Sequence, residues 1–174
     1  MYFFTSDEHY GHAKGDSSII KFCNRPFDNI YEMDQEIIRR HNEVVSNSDI
    51  VIHAGDFAFR NKLPVDKYIK QLNGEHIFLK GSHDKWMKGD SFSGWAKQIE
   101  DQYVVVCHYA MLTWPRSHYG SWQLYGHSHG NLNLNIMGKQ YDIGVDNNNF
   151  YPVSFNQIKE IMKNKPDNFN LVKK

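Results

Sequence analysis

Five strand-length apolar runs in this chain each end in a cluster of Asp, His and Gly, and that recurrence restricts the fold more than any other feature. Phe3-Phe4-Thr5-Ser6 leads into Asp7-Glu8-His9, Ile50-Val51-Ile52-His53-Ala54 into Gly55-Asp56, and His76-Ile77-Phe78-Leu79-Lys80 into Gly81-Ser82-His83-Asp84. Val104-Val105-Val106-Cys107 ends in His108, and Trp122-Gln123-Leu124-Tyr125 ends in Gly126-His127-Ser128-His129. β-Branched and aromatic runs of this length read as strands. Ligands of open α/β sheets collect beyond the carboxyl ends of strands, so the five loops are expected to converge on one pocket.

The strand pattern covers residues 2–5, 50–54, 76–80, 102–107, 122–125 and 141–145. Between these runs, Met33, Ile37, His41 and Val44 fall at helical spacing behind an Asn29/Glu32 capping pair, and Val65, Ile69 and Leu72 follow Pro64 and stop at Gly74. A third helix is expected from Ser154 through Ile158 and Met162 to the Pro166 stop. Strand and helix alternate early and strands follow one another after residue 100, which predicts a mixed α/β fold with β-hairpin content in the second half. At 174 residues, against about 100 to 200 per domain, one domain spanning residues 1–174 is expected.

Lysines and arginines number 20 and acids 20, so the formal net charge is zero. A protein that coats long nucleic acid needs a basic stripe, and this balance argues against such a partner. The two cysteines, Cys23 and Cys107, cannot form a disulfide framework and read as reduced thiols. The opening Met1-Tyr2-Phe3-Phe4-Thr5 lacks a charged leader and a long apolar stretch, and no run approaches the ~18 residues of a membrane span. A cytoplasmic protein with no membrane partner is the expectation; the sequence leaves the oligomeric state open.

Asp7 and His9 are one residue apart, as are His127 and His129, so in extended backbone each pair points to one side. Gly55, Gly81 and Gly126 are expected to turn the chain tightly at the rim. Imidazole mixed with carboxylate favours Mn, Fe, Zn, Co or Ni over the all-oxygen shells of Mg or Ca. Two four-coordinate ions need about eight contacts, two of which one bridging aspartate can supply. A closed structural metal site fits poorly with this many ligands. Alone, Asp-x-His or Gly-Asp is an ordinary turn, and Gly-His-x-His is more specific; the ordered set of five is what carries weight. His41 and His53, at core-facing positions, read as packed histidines.

The set Asp7-x-His9, Gly55-Asp56, Gly81-x-His83-Asp84, His108 and Gly126-His127-x-His129 resembles the calcineurin-like metallophosphoesterase superfamily over residues 7 to 129. The segment from Ser6 to Phe27, with Gly11-His12 and Arg25-Pro26-Phe27, is similar to small single-domain bacterial and phage phosphoesterases. The resemblance implies a four-layer αββα sandwich, two facing mixed sheets flanked by helices, with two divalent transition-metal ions, manganese first among them. It assigns Asp7, His9 and His129 to the first ion, His108 and His127 to the second, and Asp56 to both. It makes His83 the catalytic histidine, oriented by Asp84, and implies hydrolysis of phosphate esters by a hydroxide held between the ions. Ser82 stands where the family has an asparagine that contacts the second ion and the phosphate.

For substrate, Ser82, His12, Arg25, Arg60, Trp114 and Arg116 are the expected contacts. The loop between His108 and Gly126 carries Tyr109, Trp114, Arg116, Tyr119 and Trp122, a set that can stack a base and fork a phosphate, with core packing the alternative for Trp122 and Tyr109. The expected activity is hydrolysis of a small, nucleotide-like phosphomonoester or phosphodiester. The alternative is a weakened relative that holds metal and a phosphorylated ligand as a sensor or sequestering module.

Overall fold

Short β-branched runs with nothing polar in their middles are suited to strands covered on both faces, and they form the centre of the chain. The computed structural model describes residues 1–13, 15, 18–59, 64–89, 93–132 and 137–172. Strands β1 (Tyr2–Thr5), β2 (Ile50–His53) and β3 (Glu75–Phe78) pair in parallel, and β8 (Val153–Ser154) joins β1 antiparallel, giving the order β3-β2-β1-β8. The second sheet runs β4-β5-β6-β7, from β4 (Gly94–Ile99), β5 (Gln102–Cys107), β6 (Trp122–Tyr125) and β7 (Gln140–Asp142). Among the described residues only β4 and β5 form a hairpin; β5, β6 and β7 are parallel. The hairpin expectation is thus met once, and the later strands return through crossovers.

The two four-stranded mixed sheets face each other with helices packed outside, an α+β sandwich as expected. Phe4, Ile52 and Ala54 of the first sheet meet Val104, Val106, Leu124 and Ile143 of the second in one buried cluster. On the outer face of the first sheet, Met33, Ile37 and Ile38 of α2 (Ile30–Val44) and Tyr68 of α3 (Asp66–Ile69) pack with Tyr10 and Phe57. Helix α2 starts where the capping pair predicts, Asn29 accepting from the Glu32 amide at 3.0 Å. α4 (Phe155–Lys163) begins on a Ser154/Gln157 capping box and buries Phe155, Ile158 and Met162 in the inter-sheet cluster. The outer face of the second sheet is covered by segment 109–121, pinned where Gln123 and Gln140 bond the backbone of Tyr109 and Met111.

A parallel bridge between Ser6 and Gly144 joins the sheets just past β1 and β7. The carboxyl ends of β1, β2, β5 and β6 therefore open on one edge of the sandwich. Cys23 and Cys107 are free thiols. Among the described residues no helix is long and apolar enough to cross a membrane.

Candidate metal centre

At that edge Asp7, His9 and His129 each bring one ligand atom within 4.8 Å of the others, and Asp56, His108 and His127 form a second such group. These are the two sets that the resemblance implies. The local reason differs from the expectation, however. Asp7 (φ 61°), His9 (54°), Asp56 (54°), His127 (68°) and His129 (46°) all lie in the left-handed region, so the paired ligands converge through kinks rather than through extended backbone. Such conformations cost about 1–3 kcal/mol each and persist only where the surroundings over-determine them.

The glycines explain part of that constraint, again by another route than expected. Gly55 has positive φ, 102°. Gly81 and Gly126 instead permit close approach: a Cβ on Gly81 would stand 2.2 Å from Asp56 Oδ1, and one on Gly126 2.0 Å from Ser6 Oγ and 2.5 Å from Asp7 Oδ2. The backbone then grips the carboxylates directly, His127 N–H donating to Asp7 Oδ2 and His83 N–H to Asp56 Oδ1, both at 2.8 Å.

Asp7 Oδ1, His9 Nε2 and His108 Nε2 are buried without a hydrogen-bond partner. Orphaned buried polar atoms are rare in folded proteins, and these three are ligand atoms aimed into the two groups. Three of the four rings are held from the far side. His108 Nδ1 meets the Ala54 carbonyl at 2.9 Å, His9 Nδ1 meets His12 Nδ1 at 3.3 Å, and His129 Nδ1 meets Asp146 at 2.6 Å. That arrangement turns the Nε2 atoms of His9 and His108 inward, as metal-ligating imidazoles require. Asp56 Oδ2 lies 3.3 Å from His108 Nε2 and 3.8 Å from His9 Nε2, so one oxygen faces both groups. The residues fit a pair of divalent transition-metal ions.

Of the other expected site residues, Ser82 is beside the centre, its Oγ donating to Asp56 Oδ2 at 3.2 Å. His83 is close by, with a ring 41% exposed and Nε2 3.9 Å from Asp56 Oδ2. Asp84 does not hold the His83 ring. It is fully buried, with Oδ2 accepting from the amides of Asp56 (2.7 Å) and Gly81 (2.9 Å) and Oδ1 from Ala58 (3.2 Å) and the Trp86 indole (2.9 Å). It ties the two ligand loops together. Arg25 is not a phosphate fork: its buried guanidinium holds Asp146 through two 2.7 Å bonds and donates to the Asp7 and Glu8 carbonyls. His12 is buried behind His9 and Phe59 rather than at the mouth. Trp114 is buried, its indole donating to the Ser121 carbonyl. Arg116 lies over the Tyr103 ring near the start of β5, at the far end of the strand from His108. Trp114, expected to contact substrate, is therefore a core residue instead. Arg60 lies outside the described residues.

Asp146 was missed, although the sixth apolar run, at 141–145, leads into it just as the other five lead into their clusters. Burial would raise its pKa, yet His129 and Arg25 hold it down at about 2. Cys23, His129 and Asp146 form a further close group, but the Arg25 guanidinium paired with Asp146 argues for a hydrogen-bonded support rather than a cation site. His41 and His53 are core histidines as expected: His53 bonds Glu8 at 2.7 Å and His76 at 3.0 Å, and His41 bonds the Asn73 carbonyl at 2.9 Å.

Burial pushes Asp7 up to about 7. His129, despite burial, is pushed up to about 10 by its bond to Asp146 and the charge of Asp7. Without metal the first group thus holds extra protons that a cation must displace. The apparent affinity for a first manganese ion is expected to rise about tenfold per pH unit between pH 7 and 9, where His129 alone must give up a proton, and more steeply below pH 7, where Asp7 must as well. Calorimetric titration in buffers of differing ionisation enthalpy reads both the affinity and the protons released; pH-independent binding excludes Asp7 and His129 as ligands.

No family model matches the chain. It is 32% identical over 165 residues to "Uncharacterized protein MJ1445" of Methanocaldococcus jannaschii, covering 91% of this chain and 89% of that protein. The chain belongs to the MJ1445 family. A solved structure, "The Crystal Structure of the Protein of Unknown Function AQ665 from Aquifex aeolicus", shares the fold of this MJ1445 relative, with a TM-score of 0.70 over 92% of this chain and 98% of that one at 19% identity.

Proposed function

We propose that this MJ1445-family protein is a metal-dependent hydrolase of small phosphate esters, with a centre of the calcineurin-like metallophosphoesterase type. The observation that carries the reading is the pair of donor groups meeting at Asp56, with three buried ligand atoms that have no hydrogen-bond partner. Two divalent ions bound there would polarise the phosphoryl oxygens and activate the attacking water. His83 supplies the acid: its backbone is fixed on Asp56 while its ring reaches solvent, so it can hand a proton to the departing oxygen as that bond breaks. Arg25 and Asp146 act behind His129, holding its ring at a fixed angle. Asp84 keeps the Asp56 and Ser82 loops in register.

The sensor or sequestering module is the rival reading, and Ser82 favours it, since a single hydroxyl engaged with Asp56 offers less to a phosphate than an amide would. Hydrolysis of bis(p-nitrophenyl) phosphate and p-nitrophenyl phosphate, with manganese added and then chelated, separates the two. Turnover that needs manganese and stops with chelator is expected; binding of manganese and phosphate without turnover of either ester would leave the module as the reading.

A further inference from the structure

The aromatic loop 109–122 does not supply a stacking platform at the centre through Trp114 or Arg116, but another ring stands there. Phe22, the last residue of α1 (Ile19–Phe22), is 77% exposed, and its ring lies edge-on to His129 with centroids 6.4 Å apart at 72°. Single exposed apolar side chains are common; this one borders a ligand of the first group. On another flank, Phe59 packs against His12 (3.9 Å) and meets the edge of His83 (4.9 Å). Tyr109 lies 4.8 Å from His127 and 4.9 Å from His108. The His9 ring neighbours both His83, at 5.3 Å, and His129, at 5.5 Å, so the acid side and the Phe22 side flank one centre.

We propose that Phe22 is the platform for a flat ring carried by the substrate, and that the ring belongs to the group retained on phosphorus, a nucleobase in a mononucleoside phosphoester. The assignment rests on the hydrolase reading for its chemistry. A water oxygen forms the new bond to phosphorus and the bond to the leaving oxygen breaks on the His83 side, with that oxygen taking up a proton. The nucleoside stays on the phosphate, on the His129 side, where the exposed Phe22 ring meets its base. Stacking suits this position because every base has a π-face, and a formal net charge of zero disfavours a long polymer as the occupant.

Two esters with one leaving group isolate the retained group: thymidine 5′-(p-nitrophenyl phosphate) and ethyl p-nitrophenyl phosphate. The manganese-loaded chain is expected to prefer the thymidine ester in kcat/KM by about five- to a hundredfold. Phe22→Ala should bring that ratio toward one, and Phe22→Trp should keep it. Equal rates on both esters, or a ratio unmoved in Phe22→Ala, would overturn the platform while leaving the hydrolase intact. Calorimetric titration with thymidine 5′-monophosphate and ethyl phosphate decides the platform separately from turnover. Tighter binding of the nucleotide, lost in Phe22→Ala, supports it even if neither ester is cleaved, a result that would overturn only the hydrolase; equal affinities overturn it.

Discussion

Asp56→Asn is expected to empty both metal positions together and to reduce turnover by at least about a hundredfold. Asp56 Oδ1 is committed to the His83 amide at 2.8 Å, so an asparagine there keeps its carbonyl oxygen on that side and turns its NH2 toward the position of Oδ2. That position faces His108 Nε2 at 3.3 Å and His9 Nε2 at 3.8 Å. An amide nitrogen donates and cannot ligate, so on the proposed two-metal reading one substitution would remove a ligand from each position and half of the Asp7/Asp56 carboxylate charge. Loss of an outer partner already costs about 10- to 100-fold in affinity or activity, and a shared inner ligand should cost more. The fold should survive, since the backbone donor at Oδ1 remains satisfied. Elemental analysis beside circular dichroism checks both halves; two tightly held ions in Asp56→Asn would disprove the bridge.

Asp84→Asn should instead destabilise the protein itself, by roughly 3 kcal/mol or more. Each Asp84 oxygen accepts from two donors, the buried Asp56 and Gly81 amides on one side, the buried Ala58 amide and the partly exposed Trp86 indole on the other. Whichever way the asparagine turns, its NH2 faces two donors. A buried donor left unsatisfied costs about 1–3 kcal/mol, a large share of the ~5–15 kcal/mol that separates folded from unfolded chains. The freed Asp56 amide also loosens the loop that carries the shared carboxylate, so manganese affinity should fall with stability. Denaturant unfolding of the metal-free protein measures the first effect. A midpoint equal to the unsubstituted protein would show that Asp84 is not the tie between these loops, and would reopen a role on His83.

Both variants touch residues whose type was legible in the sequence and whose role was legible to different degrees. Asp56 could be read from its position after an apolar run and from the company of His9, His108 and His127. Asp84 was legible as a site residue but not as a loop tie, because its partners at 56 and 58 are remote in sequence and are backbone groups that any residue carries. Arg25 misled for a similar reason: an arginine near a metal motif suits phosphate, and only the burial of Asp146 beside it shows where its charge is spent.

Strand β4 escaped notice because its residues from Gly94 to Ile99 are largely exposed, so the run lacks the apolar pattern that marks a covered strand. Strand β8, two residues long, is created by its pairing with Phe3 and Phe4 rather than by any pattern of its own.

By itself the sequence determined where apolar runs stop and ligand-type residues begin, because strand formation and side-chain chemistry depend on neighbours a few positions away. It therefore carried the mixed α/β class, the start of α2 and the Asp and His clusters behind the strands, and the resemblance divided six of those residues between two donor groups. Tertiary structure decided what depends on distance through space: the left-handed kinks that aim the ligands, the glycines that let carboxylates touch backbone, the Arg25–Asp146–His129 support, and the placing of Phe22 rather than Trp114 beside the centre. These features arise where loops from both sheets are pressed against one another, and no local run of residues records which loop will be the neighbour.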